Sequence, residues 1–254
     1  MGLKFGVCSS WENSAILKNA GADFIELPLA RIAQMEEKDF DELSRNLTLP
    51  AEVFNILLPS NLKIVGEAVD WQTLEHYLKL ALPRAKRIGG EVIVFGSGGA
   101  RRTPDNWDKR KAKSQLLAFL NLAIDIAEKE GLKIAIEPLN RFETNTINRL
   151  EDALELVEEL GKNNLGVLAD FYHILKENEH FDVLKKAKDK LLHIHISDED
   201  RNPPLERNTK IEEFFCILKK ISYKGRISIE SQWENLEKEL PLAIENLKRE
   251  WRCS

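Results

Sequence analysis

Four residues in the second half of the chain have the types and spacing to act together. Glu137 closes the run KIAIE, Asp170 closes LGVLAD, His195 lies in LLHIHIS, and Glu230 closes RISIE. They fall 33, 25 and 35 residues apart, each at the end of a short apolar run. Three carboxylates and one imidazole crowded together repel one another or stay partly protonated unless a positive charge neutralises them. A divalent cation does so most simply. One nitrogen and three oxygen donors suit Mn²⁺ or Mg²⁺, with Co²⁺ or Zn²⁺ also compatible, and the lack of a thiolate argues against a structural zinc.

Such a cluster needs elements that bring four distant positions to one place. The chain supplies them as a beat of about eight short apolar or β-branched runs: LKFGV, DFIEL, AEVFNIL, EVIVFG, KIAIE, LGVLAD, LLHIHI and RISIE. Near-continuous apolar runs are expected of parallel strands covered on both faces. Between them lie helical patterns over 12–20, 39–46, 71–88, 108–130, 151–160, 181–188, 210–220 and 236–251, several closed by glycine, a helix stop signal. Pro83 is expected to kink or divide the third of these. No linker composition divides the chain, so residues 1–254 read as one α/β domain, a (β/α)8 TIM barrel, in which spacings of one βα repeat place the four residues at one rim. A doubly wound open sheet is the alternative, but no GxGxxG follows the first strand.

Composition narrows the function. Thirty-seven Lys plus Arg against 42 Asp plus Glu give a net charge of −5, unsuited to blanketing phosphate backbones, so nucleic acid is not an expected partner. No run approaches the roughly 18 apolar residues of a membrane span, and MGLKFGVCSSWENSA has no signal-peptide core. A soluble cytoplasmic protein with no membrane partner is expected. Cys8, Cys216 and Cys253 form no CxxC pair and read as reduced bystanders.

Around the four residues the local strings are IEPLNRFETN, ADFYH, HISDEDR and SIES. On these strings the chain resembles the xylose isomerase-like barrel superfamily, the sugar-phosphate isomerase/epimerase group, and within it the ketose 3-epimerases of the D-tagatose and D-psicose type. The resemblance implies that Glu137, Asp170, His195 and Glu230 are the metal ligands, with Mn²⁺ the expected ion, and that Glu143, His173 and Arg201 contact a sugar substrate. A divalent ion that polarises a ketone lets a carboxylate remove the neighbouring proton through an ene-diolate. Glu137 and Glu230, facing opposite sides of the sugar, then serve as the acid/base pair. Return of the proton to the same carbon gives epimerisation, and to the adjacent carbon gives isomerisation. An inosose dehydratase-like lyase, an endonuclease IV-like phosphodiesterase and a barrel that only binds are the other readings. Five histidines and the net negative charge oppose the nuclease. A homodimer is the default assembly.

Other positions carry plainer expectations. His193 is expected to face outward toward the helices, and His76 and His180 to lie on the surface. Gly96 to Gly99 read as a flexible βα loop, with closure over substrate as the alternative, and Arg101 and Arg102 as solvated charge or, alternatively, phosphate contacts. Arg201 could instead pair with Asp198 or Asp200. Glu26 and Asn55 fall near the barrel opening. Residues 202–214, NPPLERNTKIEEF, lack the glycine and histidine usual in the epimerases, and SDEDR and SQWEN lack phosphate-binding glycines. A free sugar or neutral polyol is therefore favoured over a phosphosugar.

Overall fold

A computed structural model describes residues 3–254. Strands β1 (Lys4–Cys8), β2 (Phe24–Pro28), β3 (Ala51–Asn55), β4 (Val92–Phe95), β5 (Lys133–Ile136), β6 (Leu165–Asp170), β7 (Leu191–Ile196) and β8 (Arg226–Ile229) pair in sequence order as a closed parallel barrel. This is the expected TIM barrel, one domain over the described residues; residues 1 and 2 of the 1–254 assignment lie outside them. No helix among the described residues is long and apolar enough to cross a membrane.

Side chains alternate along each strand and divide the apolar residues into two bodies. Phe24, Val53, Val92, Val94, Ala135 and Leu168 form a small cluster inside the barrel, while a much larger one fills the space between strands and helices. Gly6 makes the inner layer possible, because a Cβ there would fall 2.4 Å from the Phe24 ring. At the amino ends of the strands the barrel floor is ionic: Glu52 accepts from Lys4 Nζ at 2.5 Å and from Arg226, whose other nitrogen meets Glu91 at 2.7 Å.

The long helices begin where the sequence supplies an acceptor for an orphan amide. Asp70 accepts from the Thr73 amide to start Trp71–Arg87, and Asp108 from Lys111 to start Lys109–Lys129. Gly161, at φ 61°, ends Leu150–Leu160 in the left-handed region. Pro83 does not divide its helix as one of its expectations held; the element is continuous from Trp71 to Arg87. Short helices at Leu29–Ala33, Gly98–Arg101 and Phe171–Lys176 have no counterpart in the sequence pattern.

Candidate active site at the carboxyl rim

Asp170 and His195 are register partners on β6 and β7, and His195 pairs in turn with Ser228 on β8. Glu137 and Glu230 stand one residue beyond β5 and β8 but are still pinned to the neighbouring strand, Glu137 N donating to Phe95 O and Glu230 N to Ile196 O. Asp170 Oδ1 accepts the His173 amide, capping Phe171–Lys176, which leaves Oδ2 directed at the cluster. The structure brings the four residues together: one ligand atom from each lies within 4.8 Å of all the others.

The His195 ring is fully buried at the centre. Its Nδ1 lies 3.0 Å from Glu137 Oε1, 3.2 Å from Glu230 Oε2 and 3.8 Å from Asp170 Oδ2. Its Nε2 lies 2.9 Å from Glu26 Oε1. Burial would depress the imidazole, but Glu26 and the other carboxylates outweigh it and hold His195 well above the usual histidine range. Burial pushes Glu137 up against the pull of His195. Glu230, where His195 and Arg201 overcome burial, is held down to about 2. Three carboxylates drawn around one imidazole are the charge pattern that fits a divalent ion, and the donor set of one imidazole nitrogen and three carboxylates fits a hard or borderline one.

The three expected substrate contacts share one flank. Arg201, at φ 66°, sends Nη2 to Glu230 Oε2 at 2.5 Å and Nη1 to Glu143 Oε1 at 3.4 Å, with its guanidinium 4.9 Å from the Tyr172 ring centroid. Those are its acidic partners, rather than Asp198 or Asp200. His173 Nδ1 accepts the Asn140 backbone amide at 3.1 Å, so a neutral ring carries its hydrogen on Nε2. That nitrogen lies 3.2 Å from Arg201 Nη1. Two donors that cannot satisfy each other thus stand side by side, Arg201 lining a cavity beside the cluster and His173 buried behind it. Asn140, which the sequence reading did not single out, also donates its side-chain amide to Glu143.

Beside the cluster opens a cavity of about 230 Å³, lined by Asn55, Ile56, Gly96, Glu137, Arg201 and Glu230 among others. Asn55 thus lies at the opening as expected. Gly96 leaves room for Glu137: a Cβ there would sit 2.1 Å from Oε2, so the carboxylate would have to move. The 96–99 segment is not a plain flexible loop, because Gly98–Arg101 is a helical turn and Ser97 Oγ accepts the Leu58 amide. Residues 202–208 line a separate hollow of about 520 Å³. The helix Leu236–Cys253 holds them, Asn246 donating to Pro204 O and Glu206 O and Glu250 accepting the Asn208 amide.

Several expectations are corrected. His193 faces inward, not toward the helices; residues two apart on a strand share a face, so it lies on the side of His195, and its Nε2 is 2.8 Å from Glu26 Oε2. Cys8, read as a reduced bystander, is a free cysteine whose Sγ lies 3.8 Å from His195 Nε2, and burial and Glu26 push its thiol well above the ordinary range. Arg101 is not solvated. It is fully buried and donates to the carbonyls of Phe95, Glu137 and Ile147, tying the loops after β4 and β5 together. Arg102 is exposed and donates to Glu143 O. His76 and His180 are exposed, as expected. Glu26 lies behind His195, fully buried, rather than at the opening. It ends the inward face of DFIEL as Glu137 ends that of KIAIE, a positional signal that could have identified it.

Residues 14–250 match the xylose isomerase-like TIM barrel family, and the chain belongs to it. It is 31 % identical to the D-psicose 3-epimerase of Agrobacterium fabrum over 169 residues, covering 66 % of this chain and 56 % of that protein. It is 30 % identical to the 3-dehydro-D-guloside 4-epimerase of Escherichia coli over 180 residues, 66 % of this chain and 68 % of that one. The chain spans about half the length of several curated relatives it matches. Among solved structures, the D-allulose 3-epimerase from Methylomonas sp. in complex with D-allulose superposes with a TM-score of 0.85 at 22 % identity, covering 98 % of this chain and 97 % of that one, a likeness of fold.

Proposed function

We propose that this xylose isomerase-like barrel, acting as one domain over residues 1–254, is a metal-dependent isomerase or epimerase of a ketose or related neutral polyol, of the 3-epimerase kind. The observation that carries the reading is the convergence of Glu137, Asp170, His195 and Glu230 on one point. These four would hold a divalent ion, and one nitrogen with three carboxylates suits Mn²⁺ or Mg²⁺, of which we propose Mn²⁺. When bound, such an ion supplies Lewis-acid charge that makes a proton beside a carbonyl acidic enough for a carboxylate to remove.

In this reading Glu137 and Glu230 take the proton from one face of the substrate and return it from the other. Arg201 Nη1 and His173 Nε2 donate to a substrate oxygen, while Glu143, fixed by Asn140, accepts from a hydroxyl. Among the described residues Arg201 is the one basic side chain lining the cavity, and it is already engaged by Glu230 and Glu143, which supports an uncharged sugar over a phosphosugar.

The test is incubation of the Mn²⁺-loaded protein with D-psicose, D-tagatose and D-fructose in D₂O. Deuterium at carbon 3 is the expected result. Label at carbon 1 or 2 identifies an isomerase, loss of water a lyase, and no exchange with any of these sugars overturns the ketose reading.

A further inference from the structure

We propose that Glu26 is the positioning residue for His195: by accepting the hydrogen on Nε2, it leaves the lone pair on Nδ1, the nitrogen that faces Glu137, Asp170 and Glu230. This rests on the reading of those four residues as a divalent-ion site. A neutral imidazole carries one hydrogen, and the partner of one nitrogen decides which nitrogen is left to bind a metal. At Nε2 the two neighbours are Glu26 Oε1 at 2.9 Å and Cys8 Sγ at 3.8 Å, and of these the carboxylate is the strong acceptor.

Glu26 stands three strands round the barrel from its partner. It comes from β2, whereas His195 is on β7, so the bond crosses the barrel interior past β1 and β8. The residues those strands turn toward it are small: Cys8 lies beside His195 Nε2, and Ser228 Oγ is 3.1 Å from His193 Nε2. Glu26 is itself fixed from its other oxygen, since Oε2 accepts from His193 Nε2 at 2.8 Å. His193 therefore serves as a buttress, holding the carboxylate at the angle His195 needs. Both oxygens must accept at once. A carboxylate can do this, but a carboxamide has one oxygen and one NH₂, so a glutamine would turn a donor toward one of the two rings.

The experiment compares wild type with E26Q, which conserves shape, and with E26A. Mn²⁺ affinity is measured by calorimetric titration, and the unfolding midpoint of the metal-free protein is measured alongside. E26A is expected to bind Mn²⁺ roughly 10–100-fold more weakly, the usual effect of losing such a partner, and E26Q to keep the metal-free midpoint near that of wild type. The electron paramagnetic resonance spectrum of Mn²⁺ bound to E26A is expected to change as the nitrogen ligand is lost. Wild-type affinity in E26A overturns the proposal, because Glu26 would then serve only packing, whereas wild-type affinity in E26Q with weakened binding in E26A supports it, the amide oxygen having kept its place as acceptor for Nε2. If E26A does not fold, E26L, which also lacks an acceptor, takes its place. Failure of the wild-type protein to bind any Mn²⁺ is a different result, one that removes the ion site itself and this inference with it.

Discussion

Arg201 holds Glu230 across the mouth of the barrel: the guanidinium Nη2 stands 2.5 Å from Oε2 of a carboxylate that also lies 3.2 Å from His195 Nδ1. One acid is thus engaged by a strand-borne imidazole on one side and a loop-borne cation on the other. R201A is expected to lower kcat/KM for the active ketose by about 10²–10³-fold, the scale of losing one donor aimed at developing charge. R201K should recover only part of this, because an ammonium cannot reach Glu230 and Glu143 as a fork does. Steady-state kinetics on the two variants check it, and full activity in R201A would show that the arginine is dispensable.

Replacing either proposed acid/base residue should stop hydrogen exchange. E137Q and E230Q are each expected to lose at least about 10²–10⁴-fold in the rate of solvent deuterium incorporation. Turnover at the wild-type rate in either variant removes that residue from the assignment.

Gly96 offers a subtler probe. In G96A the added methyl would lie 2.1 Å from Glu137 Oε2, so the carboxylate must move while the barrel strands stay as they are. A displacement of this size is expected to cost about 10²-fold in exchange rate. Circular dichroism should remain that of wild type, and an unimpaired G96A would mean that Glu137 has freedom the structure does not show.

Acid stability should depend on the barrel floor as well as the rim. Burial pushes Glu52 up, but hydrogen bonds from Lys4 and Arg226 overcome it and hold the carboxyl below its ordinary value. A carboxylate depressed in the folded state stabilises the fold above its unfolded pKa, and that contribution is lost as pH falls through the folded value. Wild type should therefore exceed E52Q in stability at pH 7, with the gap closing as the pH drops below the ordinary carboxylate range of about 4. Urea titrations at a series of pH values measure it, and a gap independent of pH would contradict the assignment.

Ion removal supplies the last test. A ligand that binds only the folded state at about 100 times its Kd stabilises it by about 2.7 kcal/mol. Addition of Mn²⁺ to chelator-treated protein should raise the unfolding midpoint accordingly. No change at saturating Mn²⁺ would count against the site.

Much of this was legible in the sequence because a βα repeat is periodic. LGVLAD and LLHIHI match β6 and β7 residue for residue, and the spacing of Glu137, Asp170, His195 and Glu230 placed them on one rim. The functional roles of those residues rest on the experiments above. What escaped the sequence lacks period or range. Leu29–Ala33 and Gly98–Arg101 are too short to show helical spacing. Arg101 bonds carbonyls brought together only by the closed barrel, and no local pattern marks an arginine for burial. His193 was misplaced by a step of two read as a change of face.

The ionic floor of Lys4, Glu52, Glu91 and Arg226 has a consequence for traffic. Among the described residues, these salt bridges lie below the Phe24 layer, so the cavity beside Glu137 and Glu230 opens at the opposite, carboxyl end of the strands. On the proposed function, substrate and product would then share that one entrance, and each would exclude the other.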